Sequence, residues 1–181
     1  MDRIETVEPS DSDEGRKQAA RFEALTGHAV QGPFRVWAAQ DGIMSAAIDM
    51  LEDLRAPAHA PAAAVKIGIL VIARHNTCQF EWRTQSVLAL KAGVSETAVE
   101  AIRSRQRPPL MTVEEAIAYD FSTELMGRRR VSPQTFERAV DVLGRKGLSE
   151  FVTAIGFYEM VALVLNAYEV FPPDETPPLT D

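Results

Sequence analysis

Apolar residues recur along most of this chain at intervals of three and four, the period of an amphipathic helix, and strand-like alternation is almost absent. Helix punctuation then divides the pattern. A helix over 16–25 ends at Thr26-Gly27, and Gly32-Pro33-Phe34 makes a turn before a longer helix over about 35–54, broken near Asp41-Gly42. Pro61 suits the first turn of a helix over 62–75. Thr77 is placed to cap a helix from Cys78 to Ala92, with Gly93 closing it. Ser95 opens a short helix to about Arg103, and Pro108-Pro109 imposes a loop. Thr112-Val113-Glu114-Glu115 has the form of a capping box, heading a helix that ends near Gly127. Ser132-Pro133 starts another that Gly147 stops, and Ser149 caps a last helix over 150–170. About eight helices with short connections predict an all-α fold. Two apolar helix pairs, around 67–92 and 136–170, hint at a repeated helical unit.

The ends read differently. Residues 1–15 are rich in Asp, Glu and Ser and predict a disordered acidic tail. Residues 16–173 then form the folded domain. Phe171-Pro172-Pro173-Asp174 stops the last helix, and 174–181 continue as a Pro-rich extended tail.

Composition narrows the partners. With 181 residues and 46% hydrophobic content, the chain can bury one full core. A net charge of −7 repels nucleic acid and anionic membranes. The basic triplet Arg128-Arg129-Arg130 has no flanking aromatics or lysines, so a solvated loop tending helix-end carbonyls is preferred to a phosphate site. The apolar runs are interrupted by Lys66, Arg74, Glu159 and Asn166, whereas a membrane span needs about 20 apolar residues. One cysteine makes no intrachain disulfide, and the acidic start lacks the apolar stretch of a secretory signal. The expectation is a cytoplasmic protein whose partner is a small molecule, without nucleic acid or membrane.

Candidate chemistry concentrates between Lys66 and Gln85. Cys78, Glu81 and Gln85 stand at i, i+3 and i+7, which places them on one face of a helix. Glu81 lies between Phe80 and Trp82, where a partly buried carboxyl has a raised pKa and serves as general acid or base; an ion pair with Lys66 or Arg74 is the other reading. His75 is a helix-end cap or a site residue, and Cys78 an inert buried thiol or a nucleophile. Gln85 either contacts a ligand or is simply a polar surface or interface residue. Lys66 either points into the site or snorkels. On the last helix Tyr158, Asn166 and Glu169 interrupt an apolar series; Tyr158 is a candidate substrate contact, Asn166 a helix clamp or a pocket wall, and Trp82 a substrate contact or a core or subunit-interface residue. No His, Cys, Asp or Glu grouping has metal-ligand spacing, and neither a phosphate-binding glycine loop nor a serine elbow occurs, so no metal and no cofactor are expected.

Several strings together resemble the carboxymuconolactone decarboxylase family of the alkylhydroperoxidase D-like superfamily. They are Gly68-Ile-Leu-Val-Ile-Ala-Arg-His75, Phe80-Glu81-Trp82 and Leu88-Ala-Leu-Lys-Ala-Gly-Val-Ser95. Gly32-Pro33-Phe34, Tyr119-Asp120-Phe121, Gly147-Leu148, Ile155-Gly156-Phe157-Tyr158 and 165–170 extend the match over about residues 30–173. The resemblance implies a multihelical fold with a repeated unit, assembled as a homo-oligomer (trimer or hexamer, dimer possible). It also implies either decarboxylation of a small unsaturated lactone acid or thiol-dependent peroxide reduction.

The departures from the family pattern are specific. Peroxidase-branch members carry Cys-x-x-Cys-x-x-x-His and an upstream glutamate. Here Cys78 matches the first cysteine, while Glu81, Gln85 and Lys66 stand at the second cysteine, the histidine and the glutamate. Disulfide chemistry needs a resolving thiol, which this chain lacks. Decarboxylase-like members show Glu-Trp-x-x-His, and Gln85 replaces that histidine with a group that hydrogen-bonds but does not titrate. Lactone decarboxylation leaves an enolate-like anion. Lys66 would supply a cation for it, and Glu81 or His75 a proton. The expected activity is therefore that of a cofactor-free, lyase-like enzyme on a small carboxylated or cyclic metabolite. The competing expectation is a non-catalytic scaffold that kept only the fold.

Overall fold

Helix boundaries follow from local capping chemistry at most positions. A computed structural model describes residues 3–172 and 179–180. Helix α1 (Asp13–Thr26) starts where Ser12 Oγ accepts from the Gly15 amide at 2.8 Å, and ends at Gly27 in the left-handed region, φ 75°. Helices α2 (Pro33–Trp37) and α3 (Asp41–Arg55) realise the long helix with its expected break. Helix α4 (Ala62–His75) follows Pro61, as expected, and α5 (Gln79–Lys91) is closed by Gly93, φ 95°. Ser95 caps α6 (Glu96–Arg103), accepting from Ala98 N at 3.1 Å. Thr112 and Glu115 form the capping box of α7 (Val113–Arg128). Helix α8 runs Pro133–Ala167. Among the described residues there is no strand, and the all-α class is as expected.

Four local expectations fail. Thr77 does not cap α5: it sits at φ 47° as a turn residue, and Cys78 takes the N-cap position without a side-chain bond. Gly147 does not stop a helix. The break falls at Gly144 (φ 69°, ψ 165°), and Gly147 instead packs close to the backbone of His59, so Ser149 lies inside a helix. The last helix ends at Ala167, short of 170. The 1–15 segment is ordered over most of its length: Arg3–Thr6 form a 3-10 turn, Ile4 is buried, and Arg3 pairs with Glu169 at 2.8 Å. Of the Pro-rich tail at 174–181, only Leu179 and Thr180 fall within the described residues.

Contacts divide the chain into two compact units: Met1–Ala56 with Leu163–Phe171, and Pro57–Ala162 with Pro172–Asp181. In the first, α3 packs against α1 and α2. Its core includes Met44, Ile48 and an aromatic row in which the Phe22 and Phe34 rings lie 4.5 Å apart and Phe34 meets Trp37 edge-on at 5.0 Å. In the second, α4 is the axis. It is buried on almost every side from Ala64 to Arg74, as a helix with apolar residues all round must be, and it packs on α5, α6 and α7. Gly68 lets α8 approach closely: a Cβ there would lie 2.6 Å from the Phe151 ring. Helix α8 is long and apolar enough to cross a membrane by length and composition, yet Gly144 interrupts it and 50% of its apolar window is buried within the protein.

Candidate active site

The second unit brings Lys66, Glu81, Gln85 and Tyr158 to one place. Lys66 is the one residue from Ala64 to Arg74 that is not buried. Its Nζ donates to Gln85 Oε1 at 2.8 Å and lies 5.9 Å from the centre of the Tyr158 ring. Glu81 stands one turn before Gln85 on α5 and is 2% exposed. Neither of its carboxyl oxygens has a hydrogen-bond partner. Buried carboxyls are normally paired, and these two oxygens are not.

The electrostatics agree with the geometry. Burial drives the Glu81 pKa well above the usual carboxylate range, the nearby charge of Glu159 pushes it further up, and the Lys66 ammonium opposes both without reversing them. Cys78, at the head of the same helix, is 0% exposed. Desolvation, with a smaller contribution from the Glu81 charge, pushes its thiol up to about 12 against a weak pull from the Glu81 backbone N–H. It is a thiol at neutral pH, not a thiolate.

Two further residues complete the surroundings. Glu159, on α8 next to Tyr158, accepts from Asn76 Nδ2 at 2.7 Å and pairs with Arg129 at 3.1 Å. Asn76 Nδ2 also donates to the Ile72 carbonyl at 3.1 Å, tying the end of α4 to α8. In the sequence Glu159 registers only as an interruption of an apolar run, and Asn76 gives no signal. An acidic residue between buried Tyr158 and buried Val161 was the available clue. Arg128, Arg129 and Arg130 are exposed, as expected of a solvated loop, and Arg129 also pairs with Glu159.

Other candidate residues fall elsewhere. His75 is exposed at the end of α4. Asn166 is exposed, not on the buried face considered from sequence, and belongs to the first unit. Trp82 is 2% exposed and is a core residue beside the site. The Glu81–Arg74 ion pair considered from sequence is absent, because Arg74 binds backbone carbonyls instead. No grouping of metal-binding side chains occurs among the described residues.

The fold defines the class more sharply than the site does. The chain has the fold of an uncharacterized peroxidase-related protein from Silicibacter sp. TM1040, with a TM-score of 0.72 at 17% identity, covering 93% of this chain and 91% of that one. At that identity the likeness speaks to fold alone, and it agrees with the all-α class expected from the sequence. No protein-family model and no curated protein sequence matches the chain.

Proposed function

We propose that the chain is a carboxymuconolactone decarboxylase-like enzyme, a cofactor-free lyase acting on a small carboxylated or cyclic metabolite, with Glu81 as its general acid. The observation that carries this reading is the dry Glu81 carboxyl, both oxygens unpaired, beside the Lys66–Gln85 pair. In such a reaction the C–C bond to the substrate carboxylate breaks and CO2 leaves, its electron pair passing to the remaining carbon skeleton as an enolate. Lys66 attracts the enolate oxygen, and the proton of Glu81 goes to carbon. Water then returns a proton to Glu81. A carboxyl held neutral far beyond its usual range suits the donor role, because it arrives at the anion already protonated. Gln85 orients Lys66, and Tyr158 walls the cation.

A panel of carboxylated lactones, assayed for CO2 release, tests the reading. Glu81→Gln is expected to lower turnover by about a hundredfold or more while the helical content is retained. Infrared spectroscopy supplies a readout independent of substrate: the wild-type protein should show a protonated carboxyl band above the ordinary carboxylate range, missing in Glu81→Gln. A Glu81 that titrates like a surface carboxylate would sink the proposal.

One observation favours a second reading. The Lys66–Gln85 bond joins α4 to α5 through residues standing where relatives carry glutamate and histidine. In a scaffold that has lost the chemistry, this bond simply locks two helices. That reading expects no CO2 release from any of the lactones and a drop in stability for Gln85→Ala. Thiol-dependent peroxide reduction is the least supported, because Cys78 is sealed, protonated and without a second thiol. Exposed Val87, Leu88 and Leu90 on α5 support self-association as a homo-oligomer, which sedimentation would measure.

A further inference from the structure

The corner between α4 and α5 holds a second feature, and the acid–base reading makes no use of it. Leu179 and Thr180, far along the chain, are seated there. The Gln79 side-chain amide reads both main-chain groups of Leu179: Nε2 donates to the Leu179 carbonyl at 3.0 Å, and Oε1 accepts from the Leu179 N–H at 3.1 Å. Arg74 Nη2 donates to the Thr180 carbonyl at 2.6 Å. The guanidinium is held in place by Nε, which donates to the Arg103 carbonyl at 2.7 Å, and by Nη1, which reaches Thr77 Oγ1 at 3.4 Å. The Leu179 side chain is 3% exposed.

This combination is what recognition of an extended peptide requires. Three side-chain bonds go to main-chain atoms and are indifferent to sequence, and one buried apolar side chain sets the register. Arg74 is 5% exposed, and a cation that deep needs carbonyl acceptors to remain there. The notch also brackets Cys78. Its chain neighbours Thr77 and Gln79 are both bonded into the arrangement, one through Arg74 and one directly.

We propose that Arg74 and Gln79 form a binding notch for an extended peptide bearing one apolar side chain, that residues 179–180 fill it in cis, and that their departure opens the corner around Cys78. The bonds are individually modest, so the segment leaves by local opening and does not require global unfolding. A competing peptide must match the effective concentration of a segment on the same chain, on the order of millimolar. The inference goes beyond the catalytic reading and needs no turnover to be tested.

Cys78 is the only thiol in the sequence and reports directly on the corner. In the full chain, Leu179→Asp is expected to raise the rate of Cys78 labelling by a neutral disulfide reagent at least about tenfold, with the helical circular dichroism unchanged. Gln79→Glu, which keeps the acceptor and removes the amide donor, should do the same in smaller measure. A synthetic peptide of residues 174–181, added at millimolar concentration, should slow labelling of the Leu179→Asp protein again; the same peptide with Asp in place of Leu should not. Labelling as slow in both variants as in the wild type would overturn the proposal. So would an acceleration that the peptide fails to reverse, since that would be general loosening of the unit.

Discussion

Helices α5 and α7 begin alike and end up with opposite carboxylates. Each has a glutamate at its third helical position, Glu81 after the N-cap Cys78 and Glu115 after the N-cap Thr112. In α7 the two residues satisfy each other: Thr112 Oγ1 accepts from the Glu115 amide at 3.2 Å, and Glu115 Oε2 accepts from the Thr112 amide at 2.8 Å. In α5 the Glu81 carboxyl reaches no donor, and its backbone N–H exerts only a weak pull on the Cys78 sulfur, short of a cap hydrogen bond. The Cys78 amide donates at 2.9 Å to the Ala73 carbonyl, back across the tight turn made by Thr77. The donor that Glu81 would have reached is already taken, and the sulfur at the cap makes no cap bond. A buried carboxyl with both oxygens unpaired is obtained here by occupying its local partner and then burying it.

The largest expected effect lies in the pH dependence of stability. Glu81 has a folded pKa raised above the ordinary 4.5 by burial, so the folded chain keeps a proton that the unfolded chain releases. Below about pH 4.5 both states are protonated and the burial carries no ionisation penalty. As pH rises from there toward the folded pKa, the group removes stability at up to about 1.4 kcal/mol per pH unit. Glu81→Gln should flatten that slope in urea unfolding, making the variant the more stable protein at alkaline pH and roughly equal near pH 4. A wild-type curve parallel to that of the variant would break the comparison.

The next effect belongs to the satisfied helix. Thr112→Ala removes the hydroxyl half of the capping box and should cost about 1 kcal/mol, seen as a lower urea midpoint without a change in slope. Cys78→Ser is the smallest and sharpest test. It offers α5 a cap acceptor worth about 0.5 kcal/mol at most in so dry a place. Because the Cys78 amide stays with Ala73, the pH dependence due to Glu81 should survive the change. Disappearance of that dependence would mean that the cap residue, and not the occupied amide, isolates the carboxyl.

Most of the fold could be read from local signals. The helix after Pro61, the Ser95 cap and the Thr112–Glu115 box depend on residues within a turn of one another, and the structure has them as expected. Helical spacing singled out Glu81 and Gln85, the family resemblance Lys66, and an interruption of the last apolar helix Tyr158; that Lys66 meets both Gln85 and the Tyr158 ring had no signal in the sequence. What stayed hidden depends on distance along the chain. Asn76 meets Glu159 across 83 positions and Gln79 meets Leu179 across 100, and no periodicity encodes either pairing. Gly144 and Gly147 show the same limit in miniature. Both are plausible helix stops, and only the approach of the His59 backbone explains why the second is used for packing and the first for the break.

Gly68 has a consequence for the spacing of the candidate site. The edge of the Phe151 ring occupies the room that a side chain at 68 would need, at 2.6 Å from the hypothetical methyl. Lys66 lies two positions before that glycine on α4, and Tyr158 lies about two turns beyond Phe151 on α8. A single carbon inserted at 68 would therefore wedge the two backbones apart and carry the ammonium away from the phenol ring. The register of a cation over an aromatic face is set, in this molecule, by the thickness of one hydrogen atom.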